Sequence, residues 1–500
     1  MNSAKKICGI SNQKIEISEV LYLLYFGVMF GARAIGLFEG MTVYNISLVI
    51  GMLLFAVKVA MTEHTVLEYC LAGFLLLVSV VVYYNTGEKG LLLYFTMMLG
   101  MKGVSTKRVF KLGSIILSVS FTSLVLLSIT GLKEEIIYIN DRAGFGKVIR
   151  HSLGYPYPNT LFTTYIVLMI LIFYVLEKQN KKNLLLTTLF LLMGSVYIFI
   201  YSCSNTGLIV SVFYLLVNLY LQCRRKLSRF EKIGIQLMYP LCLIFAIAGP
   251  LVTRGKLFQL LDKVLHNRWA YSLYYLTNEP ITLFGVRFKE APNTNYMIDS
   301  SFLYSFLQLG IIPFVIVTLL FLGMINDYVK REMKTELAII LSFCVLGLSD
   351  PFLFNLSYKN LMFLFVGEYL FRKLKLLEER EMPILNHKIR LLAIGKRCIV
   401  YDTSFYQKCS NNWNSLRLTI SQNSGVLTGI YLLFMGAISG VLFLLTQNKN
   451  ITGRVDDVAE WEYLRNVISS GVFAGAAIVI VFIFAIRRRK KADDREGIRS

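Results

Sequence analysis

Runs of apolar residues about the thickness of a bilayer alternate with short polar connections along most of this chain. Only helices that satisfy their own backbone hydrogen bonds can cross lipid repeatedly, so the alternation predicts an all-α, polytopic integral membrane protein. About fourteen spans are expected. They fall near 20–38, 43–60, 66–83, 90–101, 112–130, 158–176, 184–202 and 206–221, then near 234–252, 301–323, 336–350, 356–371, 426–446 and 468–486. The segments at 90–101 and 356–371 are short enough to be re-entrant or tilted.

Charge orients the series. With the N-terminus inside, Lys102, Lys107, Arg108 and Lys111 fall on the inner side, as do Lys178, Lys181 and Lys182. Arg224, Arg225, Lys226 and Arg229 join them, followed by Lys330, Arg331, Lys334 and the tail Arg487 to Lys491. Basic connections stay cytoplasmic, so both termini are expected in the cytoplasm. The outside then receives residues 131–157, 251–300 and 447–467. Residues 1–371 read as a twelve-span core, 372–425 as a basic cytoplasmic linker, and 426–500 as a C-terminal transmembrane hairpin with a basic tail. Within the linker, Ile389 to Val400 alternates basic and apolar residues, which suits a helix lying on the membrane surface or a plain linker. The apolar stretch from Val20 has membrane length and no small-residue cleavage site, so it is expected to be a span and not a signal peptide.

Composition agrees. A chain of 500 residues that is 55% hydrophobic with a mean hydropathy of +0.58 does not read as a soluble domain. The formal charge of +21 would suggest nucleic acid in a soluble protein; here topogenic loops account for it, and no nucleic-acid partner is expected. The eight cysteines form no paired framework or metal-ligand spacing, and no metal or cofactor is expected. Gly144-Phe145-Gly146 lacks the strand–turn–helix context of a nucleotide site.

The departure from the topogenic pattern is basic residues in the outer loops. The first loop concentrates Arg142, Lys147, Arg150 and His151 before a span, along a path made irregular by Gly154, Pro156 and Pro158. The second carries Arg254, His266, Arg268, Trp269 and Arg287, and ends at Asp299. Its stretch Leu257 to Leu276 has the periodicity of an amphipathic surface helix with Arg268 and Trp269 near the centre. Arginine forks grip phosphate, and a carboxylate or neutral histidine can take a proton. Arg150, Arg254, Arg268 and Arg287 are therefore anion-binding candidates, Asp299 the preferred base, His266 the weaker one, and His151 a group that orients substrate. The plainer alternatives are headgroup contacts for Arg142 and Lys147, interfacial anchoring for Trp269, and a helix cap for Asp299.

The run Arg150-x-Ser152-Leu153-Gly154 followed by Pro158-Asn159 resembles the signature of Wzy-type polysaccharide polymerases, as does Arg268-Trp269 followed by Pro280, Phe284-Gly285, Asp299-Ser300, Leu303 and Gly310. These belong to the O-antigen polymerase/ligase superfamily. The motif-bearing resemblance covers about residues 140–312, and the order of spans extends it to about 371. It implies a GT-C-like glycosyltransferase of the bacterial cytoplasmic (inner) membrane that joins oligosaccharide repeat units carried on undecaprenyl pyrophosphate. The implied mechanism is metal-independent and inverting, and the implied partners include membrane lipid, chain-length regulator proteins and flippase proteins. Two positions depart from the family pattern. Ser204-Asn205-Thr206-Gly207 lacks the arginine of the family's Ser-Arg-x-Gly, leaving Arg150 or Arg254 to replace it. Asp299-Ser300 stands where ligase relatives often have His-Asn, which favours polymerase over ligase.

Rival functions are a flippase or other transporter of lipid-linked oligosaccharide, a polysaccharide ligase, and a non-enzymatic scaffold. A transporter should place charge deep within its spans, where Arg33 and Lys58 are the clearest candidates. No internal repeat of the kind that builds many transporters is evident.

Overall fold

The computed structural model describes residues 12–129, 131–142, 146–176, 181–265, 267–289, 291–292, 297–351, 358–378, 384–392, 398–402, 404–445 and 457–496. The helices of the first half are α1 (Ile17–Ala34), α2 (Thr42–Met61), α3 (Val66–Thr86), α4 (Gly90–Leu99), α5 (Thr106–Ile129), α6 (Pro158–Val175), α7 (Lys181–Ser202), α8 (Asn205–Cys223) and α9 (Arg229–Val252). Then come α10 (Gly255–Val264), α11 (Arg268–Asn278), α12 (Ser301–Leu307), α13 (Ile311–Arg331), α14 (Lys334–Leu346), α15 (Met362–Glu378), α16 (Ser404–Gln422), α17 (Ser424–Leu445) and α18 (Asp457–Glu496). The strands are short pairs: β1 (Asn12–Glu16) with β6 (Cys398–Asp402), β2 (His64–Thr65) with β5 (Lys388–Ile389), and β3 (Ile137–Arg142) with β4 (Gly146–His151), all antiparallel.

Among the described residues, eleven helices are long and apolar enough to cross a bilayer, where the sequence predicts about fourteen. The difference lies at 90–101, 336–350 and 356–371, which fold as α4, α14 and α15 with 10, 13 and 17 residues. A helix rises 1.5 Å per residue, so these span only part of a hydrocarbon core roughly 30 Å thick. They are nonetheless the centre of the bundle. Tyr94, Phe95, Met97, Ile339, Ile340, Phe343, Phe363, Leu364 and Phe365 are fully or almost fully buried, packed with α6 in one continuous core. The long helices surround them and turn apolar side chains outward: Leu53, Leu77, Val119, Phe190, Ile209 and Leu319 are all exposed. An exposed apolar belt of that extent is what lipid contact requires and what water penalises.

The two ends of the bundle differ. One, the basic face, is laced together. His64 and Lys102 both bond Glu68, Arg108 bonds Glu19, Arg372 and Lys373 pair with Asp327, and Lys232 pairs with Glu332. The two strand pairs β1–β6 and β2–β5 lie there too, tying the segment after α15 to the start of α1 and α3. A surface helix over Ile389 to Val400 is thus not what its described residues form. Alternation of basic and apolar residues is a period of two, and β-branched Ile389, Ile399 and Val400 pair as strands.

The other end, the loop face, carries the β3–β4 hairpin and the segment from α10 to Ser300. The predicted single amphipathic helix is broken into α10 and α11 at Asn267, whose φ of 65° is left-handed, a conformation asparagine tolerates better than most residues. Arg268 and Trp269 therefore open α11 instead of sitting mid-helix. The span expected at 301–323 is broken as well, into the seven-residue α12 and the long α13, with Gly310 between them at φ 94°. Gly310 lies backbone to backbone against Gly285 (φ 81°): a Cβ on Gly310 would meet Leu283 O at 2.7 Å and Gly285 N closer still. Ile311 and Ile312 N–H groups donate to Thr282 and Leu283 carbonyls at 3.0 Å, closing the same joint. Gly310→Ala is expected to cost about 3 kcal/mol or more, through both strain and overlap. A drop in the thermal midpoint of the purified protein, or loss of folded protein, measures it; an unchanged midpoint would mean that the joint opens without penalty.

Candidate functional site

The site grows from two turns that meet at the loop face. In the first, Asp262 Oδ1 accepts the Ala270 N–H at 2.8 Å and starts α11 at Arg268. Trp269 locks that start onto α9. Its ring, 3% exposed, fills a notch at Gly249 beside Phe245, and its Nε1 donates to Thr253 Oγ1 at 2.7 Å. Trp269 is accordingly a packing anchor against protein. In the second turn, the Ser301 N–H donates to Gly347 O at 2.8 Å and the Ser301 hydroxyl to Asp350 O at 2.6 Å. This stitches the start of α12 to the end of α14.

These turns bring Arg268 and Asp299 together. Arg268 Nε donates to Asp299 Oδ2 at 2.8 Å, with the side chains 17% and 33% exposed. Burial pushes the Asp299 carboxyl above its ordinary range, and the Arg268 guanidinium pulls it back only in part. The first N–H of α12 is taken by Gly347, and Asp299 is turned to Arg268. Arg268 and Asp299 are thus a charge-assisted pair at a half-buried site: a fork with donors to spare beside a carboxylate of raised basicity.

Behind the pair lie groups that the sequence reading did not single out. Asp350 stands within electrostatic reach of Asp299, Arg268 and Lys359, and its carboxylate is 3.4 Å from Thr163 Oγ1 on α6. Lys359, only 3% exposed, donates to Thr164 Oγ1 at 2.5 Å and lies 5.7 Å from the centre of the Tyr155 ring. A signal existed for both: each is an ionisable residue inside an apolar run, and such residues are costly unless they serve a purpose. The runs near 336–350 and 356–371 concealed it: the first reads as a span and the second as a short span or a re-entrant segment, with Asp350 and Lys359 near their ends.

The other sequence candidates lie elsewhere. Arg150, 8% exposed, is spent on structure: Nε donates to Ser202 O at 2.8 Å and a terminal nitrogen to Asn159 Oδ1 at 2.8 Å. Asn159 also accepts from Ser204 Oγ, at 3.0 Å. Arg150 thus stands beside the Ser204–Gly207 turn and joins the starts of α6 and α8 to the end of α7. The Ser152–Leu153–Gly154 run is a tight turn with φ of 43° at Leu153 and 83° at Gly154, where a Cβ would meet Leu124 O at 2.9 Å. His151 points to a different partner set. Its Nδ1 lies 2.8 Å from Glu135 and its Nε2 3.7 Å from Glu462 on α18. Burial works against the Glu135 carboxylate, but the His151 and Leu153 N–H bonds and the charge of Arg465 hold it below its usual range. Arg254 is exposed and donates to its own neighbour Thr253 O. Arg287 is exposed beside Gly87 at the end of α3. His266 lies outside the described residues, as do the side chain of Arg142 and residues 293–296. Among the described residues, no group of three or more His, Cys, Asp or Glu could hold a metal ion.

No protein-family model, curated protein or solved structure matches the chain.

Proposed function

We propose that this multi-pass membrane protein is a polysaccharide polymerase that joins oligosaccharide repeat units carried on undecaprenyl pyrophosphate. The observation that carries the reading is the Arg268–Asp299 pair at the loop face, with an arginine fork and a carboxylate of raised basicity 2.8 Å apart. An acceptor hydroxyl of the incoming lipid-linked unit attacks the anomeric carbon of the growing chain. Its proton passes to Asp299, the new C–O bond forms with inversion, and the bond to the pyrophosphate oxygen breaks. The pyrophosphate leaves with the electron pair, and Arg268 stabilises that developing charge. Arg254 and Arg287, exposed on the same face, supply further cations for the approach of an anionic lipid headgroup. Arg150 shapes the neighbouring loop where the family's own arginine is missing.

The direct test is purified protein given one lipid-linked repeat unit. A ladder of products supports the reading; unchanged substrate rules it out. The reading also needs the loop face outside the cytoplasmic membrane of a bacterium. In a cysteine-free background, cysteines replacing Leu132 (79% exposed) and Met297 (63%) should react with an impermeant thiol reagent in intact cells. One replacing Phe230 (88% exposed) on the basic face should react only after permeabilisation. The opposite labelling pattern would turn the protein over.

One observation favours transport of the same lipid-linked substrate. Lys359 and Asp350 place charge inside the bundle, as pathways through membranes do. In reconstituted vesicles a transporter moves the labelled lipid between leaflets without lengthening its glycan.

A further inference from the structure

The C-terminal hairpin is packed first upon itself. Gly471 and Gly475 of α18 let Tyr431, Met435 and Ser439 of α17 approach closely, and Tyr463 donates to Phe443 O at 2.9 Å. The hairpin meets the core where α18 runs beside β4 and α7. There Phe473 lies edge-on to Tyr197 at 5.3 Å, Arg465 stacks over Tyr201 at 5.1 Å, and Glu462 faces His151. Much of α17 is turned away from the core: Leu432, Leu433, Val441 and Leu444 are exposed.

His151, 9% exposed, has one nitrogen on each side of this joint. Its Nδ1 is 2.8 Å from Glu135 Oε2, and the other Glu135 oxygen accepts the Leu153 N–H at 2.9 Å, so that half belongs to the core. Its Nε2 is buried, has no hydrogen-bond partner among the described residues, and faces Glu462 Oε1 of α18 at 3.7 Å. The same Glu462 oxygen accepts from Arg465 Nη2 at 2.8 Å. Tyr201 completes the cluster, its ring edge-on to His151 at 5.9 Å.

A neutral imidazole carries one proton, and the carboxylate at 2.8 Å can only accept, so that proton sits on Nδ1. Nε2 then presents a lone pair to the Glu462 anion. A second proton makes Nε2 a donor, and closing the gap by about 1 Å gives a charge-assisted bond across the joint. The charged and titratable groups around His151 are Glu135 from the loop before β3, Glu462 and Arg465 from α18, and Tyr201 from α7. On its own strand, Arg150 is turned to Ser202 and Asn159. Two carboxylates and one guanidinium leave one net negative charge beside a neutral ring, and the protonated ring cancels it. The joint is also imperfectly closed: Arg465 Nε and Nη1 and Ser469 Oγ are buried without hydrogen-bond partners among the described residues. Bare buried donors cost stability that exposure to water restores, so the docked state is finely balanced and one ion pair can decide it.

We propose that His151 is a proton-operated latch between the core and the C-terminal hairpin. Charged, it bridges Glu135 to Glu462 and holds α18 against β4 and α7. Neutral, it lets go of Glu462, and the hairpin can part from the core at the loop face. Docking brings the second carboxylate to the ring, so protonation and docking favour each other. The docked form gains as pH falls through the range in which histidine titrates and loses as pH rises through it. Arg150 donates to Ser202 O, beside Tyr201, so the latch acts on the same end of α7 that joins α6 and α8. The latch does not depend on the polymerase reading.

Spin labels on cysteines replacing Leu132 (79% exposed) and Leu445 (68%), in cysteine-free full-length protein in lipid nanodiscs, report the separation of core and hairpin. Between about pH 5.5 and about pH 8 the ratio of docked to parted molecules is expected to fall at least about fivefold. His151→Gln keeps a donor for Glu135 but cannot be charged, and Glu462→Gln alters only the hairpin; each should remove most of that dependence. His387→Gln, on the basic face, should keep it. Thermal midpoints check folding, and if His151→Gln does not fold, Glu462→Gln decides alone. A separation that ignores pH in the otherwise unaltered protein overturns the latch, as does pH dependence that survives in folded His151→Gln. Dependence lost in His151→Gln but kept in Glu462→Gln also overturns it, because the bridge to the hairpin would then play no part.

Discussion

Replacing Arg268 by lysine is expected to lower polymerising activity roughly 100-fold, with folded protein at its normal level. The guanidinium spends Nε on Asp299 at 2.8 Å and one terminal nitrogen, at 3.4 Å, on Leu265 O. Its remaining donors are available to a phosphate. Lysine keeps the charge but cannot hold Asp299 and a phosphate oxygen at once with a rigid fork. The fold should tolerate the change, because α11 is anchored by Trp269 and Asp262 and not by Arg268. Arg487→Lys, on the basic tail, should remain within about twofold of the unaltered protein, since the run Arg487 to Lys491 carries five like charges and is redundant. A normal product ladder from Arg268→Lys would reduce Arg268 to a structural partner of Asp299. The pH dependence adds a signed test. Burial holds Asp299 above the ordinary carboxylate range, so the acid limb of activity should lie above that range too. Arg268 favours the ionised carboxylate, so Arg268→Gln should move the limb to still higher pH in whatever activity remains.

Asp299→Asn is expected to abolish turnover while lipid-linked substrate still binds. Asparagine has nearly the same volume and can accept the Arg268 hydrogen bond, but it cannot take a proton. Burial already works against the Asp299 charge, so its neutralisation should not unfold the protein. Asp299→Ala should also be inactive and should loosen Arg268 as well, giving weaker substrate binding than Asn. Protein level, substrate binding and ladder length for both variants separate a proton acceptor from a strut that positions Arg268. Full activity in Asp299→Asn would end the base assignment and turn attention to His266.

Membrane embedding and the position of the long helices follow from features visible along the chain, which also single out Arg268 and Asp299, but the hydrogen bond between the two depends on turns that the pattern does not show. Apolar runs of membrane length report helices that face lipid, because lipid contact tolerates little else. It fails for α4, α14 and α15, which touch mainly protein: there a stretch of 10 to 17 residues suffices, and length ceases to distinguish a span from a buried core helix. The breaks at Asn267 and Gly310 were hidden for a related reason. Each interrupts an apolar or amphipathic run by one backbone angle, which leaves the hydrophobic pattern intact. Phe284-Gly285 and Gly310 appear in the motif, yet only the fold reveals that the two glycines are there for each other. Lys359 and Asp350 went unnoticed because their meaning lies in three-dimensional company: Thr163 and Thr164 are about 190 residues away along the chain.

The lacing of the basic face has a mechanical consequence. Two strand pairs join segments far apart in the sequence at that end, and carboxylates there are shared among arginines and lysines of different helices, forming a collar, whereas the strand pair of the loop face, β3–β4, is a local hairpin. Ties between distant segments resist separation of the helices they join, so the helices should splay at the loop face with the collar as pivot. A molecule that breathes from one end only can admit a bulky headgroup sideways from one leaflet and release it to the same leaflet. A rocking carrier must unfasten both ends in turn. The collar makes that second opening the expensive one, and in this respect the architecture suits a reaction vessel with a single door.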